Sequence, residues 1–407
     1  MAGSAVENRY ASAPSYEQLK HAAHDLLSLV ESDADESERL YRQTDRLVAE
    51  FRRTGLYAFL IPGSLGGSEL PFVEAMEIVE LVSRADGSAG WCLMVEGVKG
   101  ASAGAFLPDE GARTVYPNGA NVTMAGQGVP RGYARPADGG FVIKGLWGYG
   151  SGIHHAEWIH SGCFVLDGES MKMDGHGHPE VVLCHHPRDT IELKGNWDVH
   201  GLRATGSYDY TIKDGELFVP ASQCYRFDNP TQMRGGVQYG SGLVVSTTWG
   251  HTSWALGLGR RTLDELARHA RERTDVFGPM VDSASFKQSF ADAEAKYRAA
   301  RAFVYGAWDS LSESFAKGEP GSVEQFALIR LAMRHLHNVI SELSTFSHRA
   351  SRGVSLRQSM LQRCYRDIHS GTQHILLADE ILQECGRVLL GVTGPNAKWN
   401  LFGVQEP

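Results

Sequence analysis

Over residues 16–107, apolar side chains recur at three- and four-residue steps, the spacing of one helix face. In HAAHDLLSLVESDADESERLYRQTDRLVAEFRRTG, Leu26, Leu27 and Val30, then Leu40, Leu47, Val48 and Phe51, follow that step, and Gly55 stands where a helix would be capped. FVEAMEIVELVSRADGS repeats the pattern through Phe72, Ala75, Met76, Val79 and Val82 and runs out at Asp86-Gly87. Between residues 121 and 232 the period shortens. GGFVIKGLWGYGSG, AEWIHSGCFVL, EVVLCHH, DTIELKG and GSYDYTIKDGELFVP read as short strands separated by glycine-rich turns, which predicts a small barrel or a sandwich. From about residue 236 to residue 391 helical spacing returns in longer runs. TSWALGLGRRTLDELARHARER, SFKQSFADAEAKYRAARAFVYGAWDSLSESFAKG and SVEQFALIRLAMRHLHNVISELSTFSHRASRG lead to a final pair in LQRCYRDIHSGTQHILLADEILQECGRVLLG, long enough for a bundle.

The expectation is an α+β chain in three parts: an N-terminal all-α domain over 1–120, a central β-domain over 121–232 and a C-terminal helical bundle over 233–407. No GxGxxG follows a strand and no Walker A motif is present, which argues against a doubly wound nucleotide fold. The net charge of −9, with no Lys/Arg stripe, argues against a nucleic-acid partner. The six cysteines form no CxxC pair, so neither a disulfide framework nor a zinc ribbon is expected, and reduced thiols suit the cytosol. The polar start, MAGSAVENRYASAPSYEQ, has no apolar core and reads as a loose tail. No run of apolar residues is long enough for a membrane span, and a cytoplasmic location is expected. HGHPEVVLCHHP (176–187) holds four histidines and Cys184, but their spacing fits no standard zinc signature and no metal is expected.

Four segments in register carry a family resemblance. TGLYAFLIPGSLGGSEL (54–70) and SRADGSAGW (83–91) resemble a turn and a helix start of acyl-CoA dehydrogenase-like proteins. GGFVIKGLWGYGSGIHHAEW (139–158) resembles their strand and turn facing the flavin, and WDVHGLRATGSYDYTIKDGELFVP (197–220) their "GLRATGS…VP" strand pair. YRDIHSGTQHILLADEILQECGRVLLG (365–391) keeps the fold's Arg-Asp and has His374 eight residues after Arg366, as in two-component flavin monooxygenases of this fold, the group D enzymes that include aromatic hydroxylases and dibenzothiophene monooxygenases. The resemblance implies the acyl-CoA dehydrogenase-like fold, with a central small β-barrel and a C-terminal four-helix bundle. It implies a homotetramer, for which Phe326, Leu328, Leu331, Leu336, Ile340 and Leu343 offer apolar surface. It implies reduced flavin (FADH2 or FMNH2) from a separate flavin reductase, and O2, acting through a C4a-hydroperoxyflavin on an aromatic or heteroaromatic small molecule. The competing reading is an acyl-CoA dehydrogenase or oxidase, which needs a carboxylate base; Glu380 and Glu384 stand in no motif that supplies one, and Glu265, in the first long helix of the bundle, stays open as that base. A third reading is a flavin-free scaffold that kept the fold.

A hydroperoxide on flavin decays if water reaches it, so its protein must exclude water and control the proton at N5. Ser151, between Gly150 and Gly152 in WGYGSG, is the candidate for N5, and Gly152 for close backbone approach to the ring; a hairpin serine is the plainer reading. Trp147 is a candidate wall against the flavin or a core tryptophan, and Gln127 and Thr123 of NVTMAGQG match a strand that meets the pyrimidine edge or else a solvated loop. His374 is the candidate acid/base or hydrogen-bond partner, ahead of His369, against the reading of a bundle histidine. Arg366 and Asp367 are expected to orient helices. Arg273 resembles an arginine that grips a cofactor phosphate from a neighbouring subunit, although its spacing to Phe277 is one residue long, and a solvated helix end competes. Phenol hydroxylases of the group carry a histidine in the helix after "GW"; WCLMVEGVKGASAGAF (91–106) has Glu96 and Lys99 instead, which leaves indolic, heteroaromatic and nitrogen-centred substrates open.

Overall fold

Ser15 caps the first helix with a full capping box, its hydroxyl on the Gln18 amide and the Gln18 side chain on its own. The computed structural model describes residues 13–405 apart from 176, 228, 277 and 402, so most of the predicted N-terminal tail lies outside the described residues. Five helices come first: α1 (Tyr16–Leu40), α2 (Asp45–Arg53), α3 (Phe72–Ala85), α4 (Gly87–Phe106) and α5 (Asp109–Val115). The predicted break at Asp86-Gly87 is a junction rather than an end. Asp86 leaves α3 in extended conformation and caps α4, accepting from the Ala89 amide at 2.8 Å. Gly55 follows α2 in the left-handed region, as a glycine stop requires.

The middle of the chain is one nine-stranded sheet: β1 (Met124–Ala137), β2 (Gly140–Gly150), β3 (Trp158–Asp167), β4 (Ser170–Met171), β5 (Val181–Pro187), β6 (Ile191–Leu193), β7 (Tyr208–Ile212), β8 (Leu217–Pro220) and β9 (Cys224–Arg226). The main path runs β6-β7-β2-β1-β3-β5-β9, with β4 on β3 and β8 on β2; β1 and β3 pair in parallel and the other pairs are antiparallel. Ile143 and Trp147 of β2, Cys184 of β5, Tyr210 of β7 and Cys224 of β9 share one buried cluster, so the sheet curls round its own core in the manner of a barrel, with β6 and β9 as edges.

The C-terminal part is α6 (Gly242–Glu272), α7 (Ala284–Ala316), α8 (Val323–Ser351), α9 (Met360–Gly371) and α10 (Asp379–Leu389). Helices α6 to α9 make the bundle, and α3 packs along α6, so both helical regions share one hydrophobic core. Leu336, Ile340 and Leu343 are buried in that core within one protomer, and Phe326 and Leu328 pack against it. This corrects the expectation of apolar surface for other copies at Leu336, Ile340 and Leu343; Phe326, Leu328 and Leu331 are only partly buried. Among the described residues no helix is long and apolar enough to cross a membrane.

Candidate active site

Helix α4 is buried on nearly every side, the pattern of a helix threaded through a core. Its charged residues Glu96 and Lys99 are therefore conspicuous, each only 4% exposed. Glu96 Oε2 accepts from the Met124 amide at 2.6 Å, which ties α4 to the first residue of β1. Burial pushes the Glu96 carboxyl up and the Lys99 ammonium down, and each opposes the other's shift through its charge.

Trp91, at the start of α4, donates from Nε1 to Ser151 Oγ at 3.2 Å. Ser151 Oγ lies 2.7 Å from Ser207 Oγ, Ser207 lies 2.6 Å from Thr205 Oγ1, and Thr205 donates to the Leu202 carbonyl at 2.8 Å. The last bond fixes the direction of the rest. Thr205 has spent its only proton, so Ser207 donates to Thr205 and Ser151 donates to Ser207. What remains free on Ser151 Oγ is a lone pair. Gly152 follows at φ +75°, and a Cβ there would stand 3.1 Å from Glu96 Oε1. A side chain is thus disfavoured by backbone conformation and would crowd the carboxylate beneath.

The third wall comes from the bundle. His374 caps the turn Ile375–Leu377, its Nδ1 accepting from the Leu376 amide at 3.3 Å. In the neutral ring that leaves Nε2–H as the donor. The His374 ring lies 4.1 Å from that of His251 on α6 and 5.8 Å from that of Trp91, which also meets His251 at 5.0 Å. Burial, helped by His337 and Lys99, holds His374 down at about 4, and His251 is pushed well down by burial and His374. Both rings are neutral at physiological pH, so His374 is suited to donating a fixed hydrogen bond rather than to titrating.

The structure gathers Ser151, Gly152 and His374 and sets other candidates apart. Trp147 is 0% exposed, stacks on Tyr210 with ring centres 5.4 Å apart and donates to the Gly162 carbonyl at 2.8 Å. It is a core residue of the sheet and is not available as a flavin wall, because its strand turns it inward. Trp147→Ala is expected to lower unfolding stability by about 3–5 kcal/mol, measured by chemical denaturation. Thr123 is likewise committed. Its hydroxyl donates to the His155 carbonyl at 2.8 Å and accepts from Arg52 at 3.2 Å, which locks α2 to the sheet and leaves it no proton for a cofactor. Gln127 is half-buried beside a register shift in β1; its amide donates to Tyr210 Oη at 3.0 Å, and its side-chain nitrogen has no partner among the described residues. Arg273 ends α6, about 33 Å along the helix from His251 at 1.5 Å per residue, so one protomer does not bring it to this cluster. Phe277 and His176 lie outside the described residues.

His369 is turned to Ser344 at 3.0 Å on the far side of α9. Arg366 pairs with Glu38 at 2.9 Å, and Asp367 accepts from the Leu202 amide at 2.6 Å, holding the 197–206 loop against α9. Glu265 pairs with Arg261 at 3.1 Å and with Arg268, and Glu384 pairs with Arg387 at 2.9 Å, so neither is poised as a base. His185 and His186 are strand residues of β5 bonded to Gln223 and Thr190.

Spacing did not reveal Trp91, His251 and Ser207, since the cluster joins residues 91, 151, 207, 251 and 374 from separate elements. A further signal was present in Tyr149. It is 67% exposed at φ 60°, a conformation a bulky residue rarely adopts, and it is the aromatic of WGYGSG that a planar ligand can reach.

The family model described as "Acyl-CoA dehydrogenase, C-terminal domain" matches residues 249–379, which take in His251 and His374. Over 396 residues the chain is 30% identical to an "Indole-3-acetate monooxygenase" of Pseudomonas putida, covering 94% of each. It is 27% identical over 367 residues to "Flavin-dependent monooxygenase, oxygenase subunit HsaA" of Rhodococcus jostii (strain RHA1), covering 86% of this chain and 92% of that one. The fold also superposes on XiaF from Streptomyces sp., solved with FADH2 and glycerol, with a TM-score of 0.83 at 19% identity, covering 94% of this chain and 98% of that one. By end-to-end similarity to an oxygenase, the chain belongs to the two-component flavin-dependent monooxygenases built on the acyl-CoA dehydrogenase fold.

Proposed function

We propose that the chain inserts oxygen from O2 into an indolic small molecule, using FADH2 or FMNH2 delivered by a separate reductase. The observation that carries this is the directed hydroxyl chain ending at Ser151. Reduced flavin, when bound, supplies the two electrons that activate O2. Its N5 bears a hydrogen, whereas N5 of oxidised flavin is an acceptor, and a serine whose own proton is spent on Ser207 suits only the former. Gly152 lets backbone approach the ring, Tyr149 offers it an aromatic face, and Gln127, whose side-chain oxygen accepts from the Val129 amide, has its side-chain nitrogen left for the pyrimidine edge. Trp91, Trp254 and His251 keep water from the reacting side, and His374 Nε2–H holds a donor there. The indolic substrate is inferred from the Pseudomonas putida relative, whose name gives its own as indole-3-acetate.

A homotetramer completes the reading, with Arg273 of one copy serving a cofactor phosphate of another. The outer face of α8 carries a 460 Å³ hollow lined by Ser341, Glu342, Thr345, Phe346 and Arg349, away from the site and available to a second copy. The six cysteines, all free and buried, accord with a reducing cytosol.

The test supplies reduced flavin and O2 with indole or indole-3-acetate and looks for oxygenated product by mass spectrometry. Product is expected; release of all the electrons as hydrogen peroxide contradicts the proposal. A second expectation concerns the hydroxyl chain. The protein should bind reduced flavin more tightly than oxidised flavin, and Ser207→Ala, by freeing the Ser151 proton, should shrink that preference by about tenfold, one hydrogen bond's worth, in anaerobic titrations.

A further inference from the structure

Lys99 is a buried cation without an ion-pair partner. Among the described residues no carboxylate pairs with its ammonium within 4.0 Å; Glu96 acts on it only through the longer-range attraction of its charge, although only 4% of the residue is exposed. Glu96, one turn earlier, is turned to the Met124 amide. Such a charge is costly unless something pairs with it. Two buried polar atoms near it lack partners among the described residues: His160 Nδ1 and His185 Nε2. The His160 and His185 rings lie 5.9 Å apart and the His185 and Tyr225 rings 5.5 Å, while Tyr225 reaches α4 beside Ser102, the next turn after Lys99.

We propose that Lys99, with His160 and His185 near it, receives a carboxylate carried by the aromatic substrate. The proposal rests on the functional reading above, since it names the class of molecule that site takes: an aromatic acid in its anionic form. The dimensions agree. Trp91 and Lys99 are eight residues apart, about 12 Å of helix, and helical side chains lean toward the N-terminus. The Lys99 charge bears on His374 as well as on His160, which places the ammonium within electrostatic reach of both. The ring would lie at Ser151 and His374 and the anion at Lys99. Burial destabilises the ammonium, and a bound carboxylate reverses that penalty, as Glu96 alone does only in part.

Calorimetric titration of the protein, alone and with reduced flavin under anaerobic conditions, compares indole-3-acetate with the uncharged indole-3-acetamide. Wild type should prefer the acid by about 30-fold or more, the scale of a buried charge pair, and Lys99→Met should abolish that preference. The ratio within one variant controls for any general loss of folding. A second arm compares wild type with Glu96→Gln: raising pH removes the Lys99 ammonium and ionises Glu96 beside it, so the wild-type preference for the acid must decline, and in Glu96→Gln the decline that persists belongs to Lys99. Equal affinity for acid and amide in wild type, or an unchanged ratio in Lys99→Met, overturns the proposal. So does weakened reduced-flavin binding in that variant with the ratio intact, which would assign Lys99 to the flavin. A preference that behaves as expected without oxygenated product leaves the anion site standing and rejects the functional reading instead.

Discussion

His374→Ala is expected to cut oxygenated product per reduced flavin by about 100-fold, with the missing electrons recovered as hydrogen peroxide. The size follows from where the ring stands. Its Nδ1 is pinned by the Leu376 amide, so Nε2–H points in one direction, and the contacts with Trp91 and His251 stop the ring from turning away. A pre-aimed donor in a water-poor site stabilises developing charge without reorganisation. Alanine removes the donor and opens a space that water can enter. Flavin oxidation itself should continue, which separates this effect from loss of cofactor binding. Ser151→Ala should act in the same sense, because it removes the acceptor that only reduced N5 satisfies. Product and peroxide quantified in the same reaction provide the check; coupled turnover unchanged in both variants would take these residues out of the site.

Acid should unfold the protein sharply. His185, His337 and His374 are held at about 4 and His186 at about 3, chiefly by burial, and His160 and His251 are also pushed well down. A histidine whose folded value is depressed contributes full stability above its unfolded value of about 6.5 and loses it as pH falls toward the folded value. Here the unfolded chain takes up protons between about pH 6.5 and pH 4 that the folded chain refuses. Each such histidine removes about 1.4 kcal/mol per pH unit across that window, against a total stability on the order of 5–15 kcal/mol. Six of them should unfold the chain within about one to two pH units below 6.5, while stability stays flat between pH 7 and 8 as far as these histidines are concerned. Denaturant titrations at a series of pH values measure the slope; a flat profile down to pH 5 would mean that these rings are solvated.

Helical periodicity exposed α1 and α3 because each buries one face and shows the other to solvent. It gave no exposed face for α4 or for the first part of α6, which begins at Gly242, ahead of the segment read from Thr252. There Val244, Val245, Thr248, Trp249 and His251 are buried on all sides and leave no polar stripe to read. That is also why His251 went unnoticed. Trp147 and Tyr149 are two residues apart on one strand, and alternation puts them on the same side of a regular strand. The left-handed turn at Tyr149 breaks that alternation, so the buried aromatic and the accessible one could not be told apart from spacing. His374 was placed by its family context, but its role as a cap depends on a turn between α9 and α10 that no periodicity announces. Thr123 was misread because its partners, Arg52 and His155, are distant in sequence.

The central claim is that Ser151, His374 and Trp91 enclose a place where reduced flavin delivers oxygen to an aromatic molecule. Mixing the anaerobic protein–reduced flavin complex with indole-3-acetate and isotopically heavy oxygen gas tests it most directly. One heavy oxygen atom in the product, with little hydrogen peroxide, is the predicted result. Quantitative hydrogen peroxide with unlabelled, unchanged substrate, or bleaching of oxidised flavin by an acyl thioester, would contradict it.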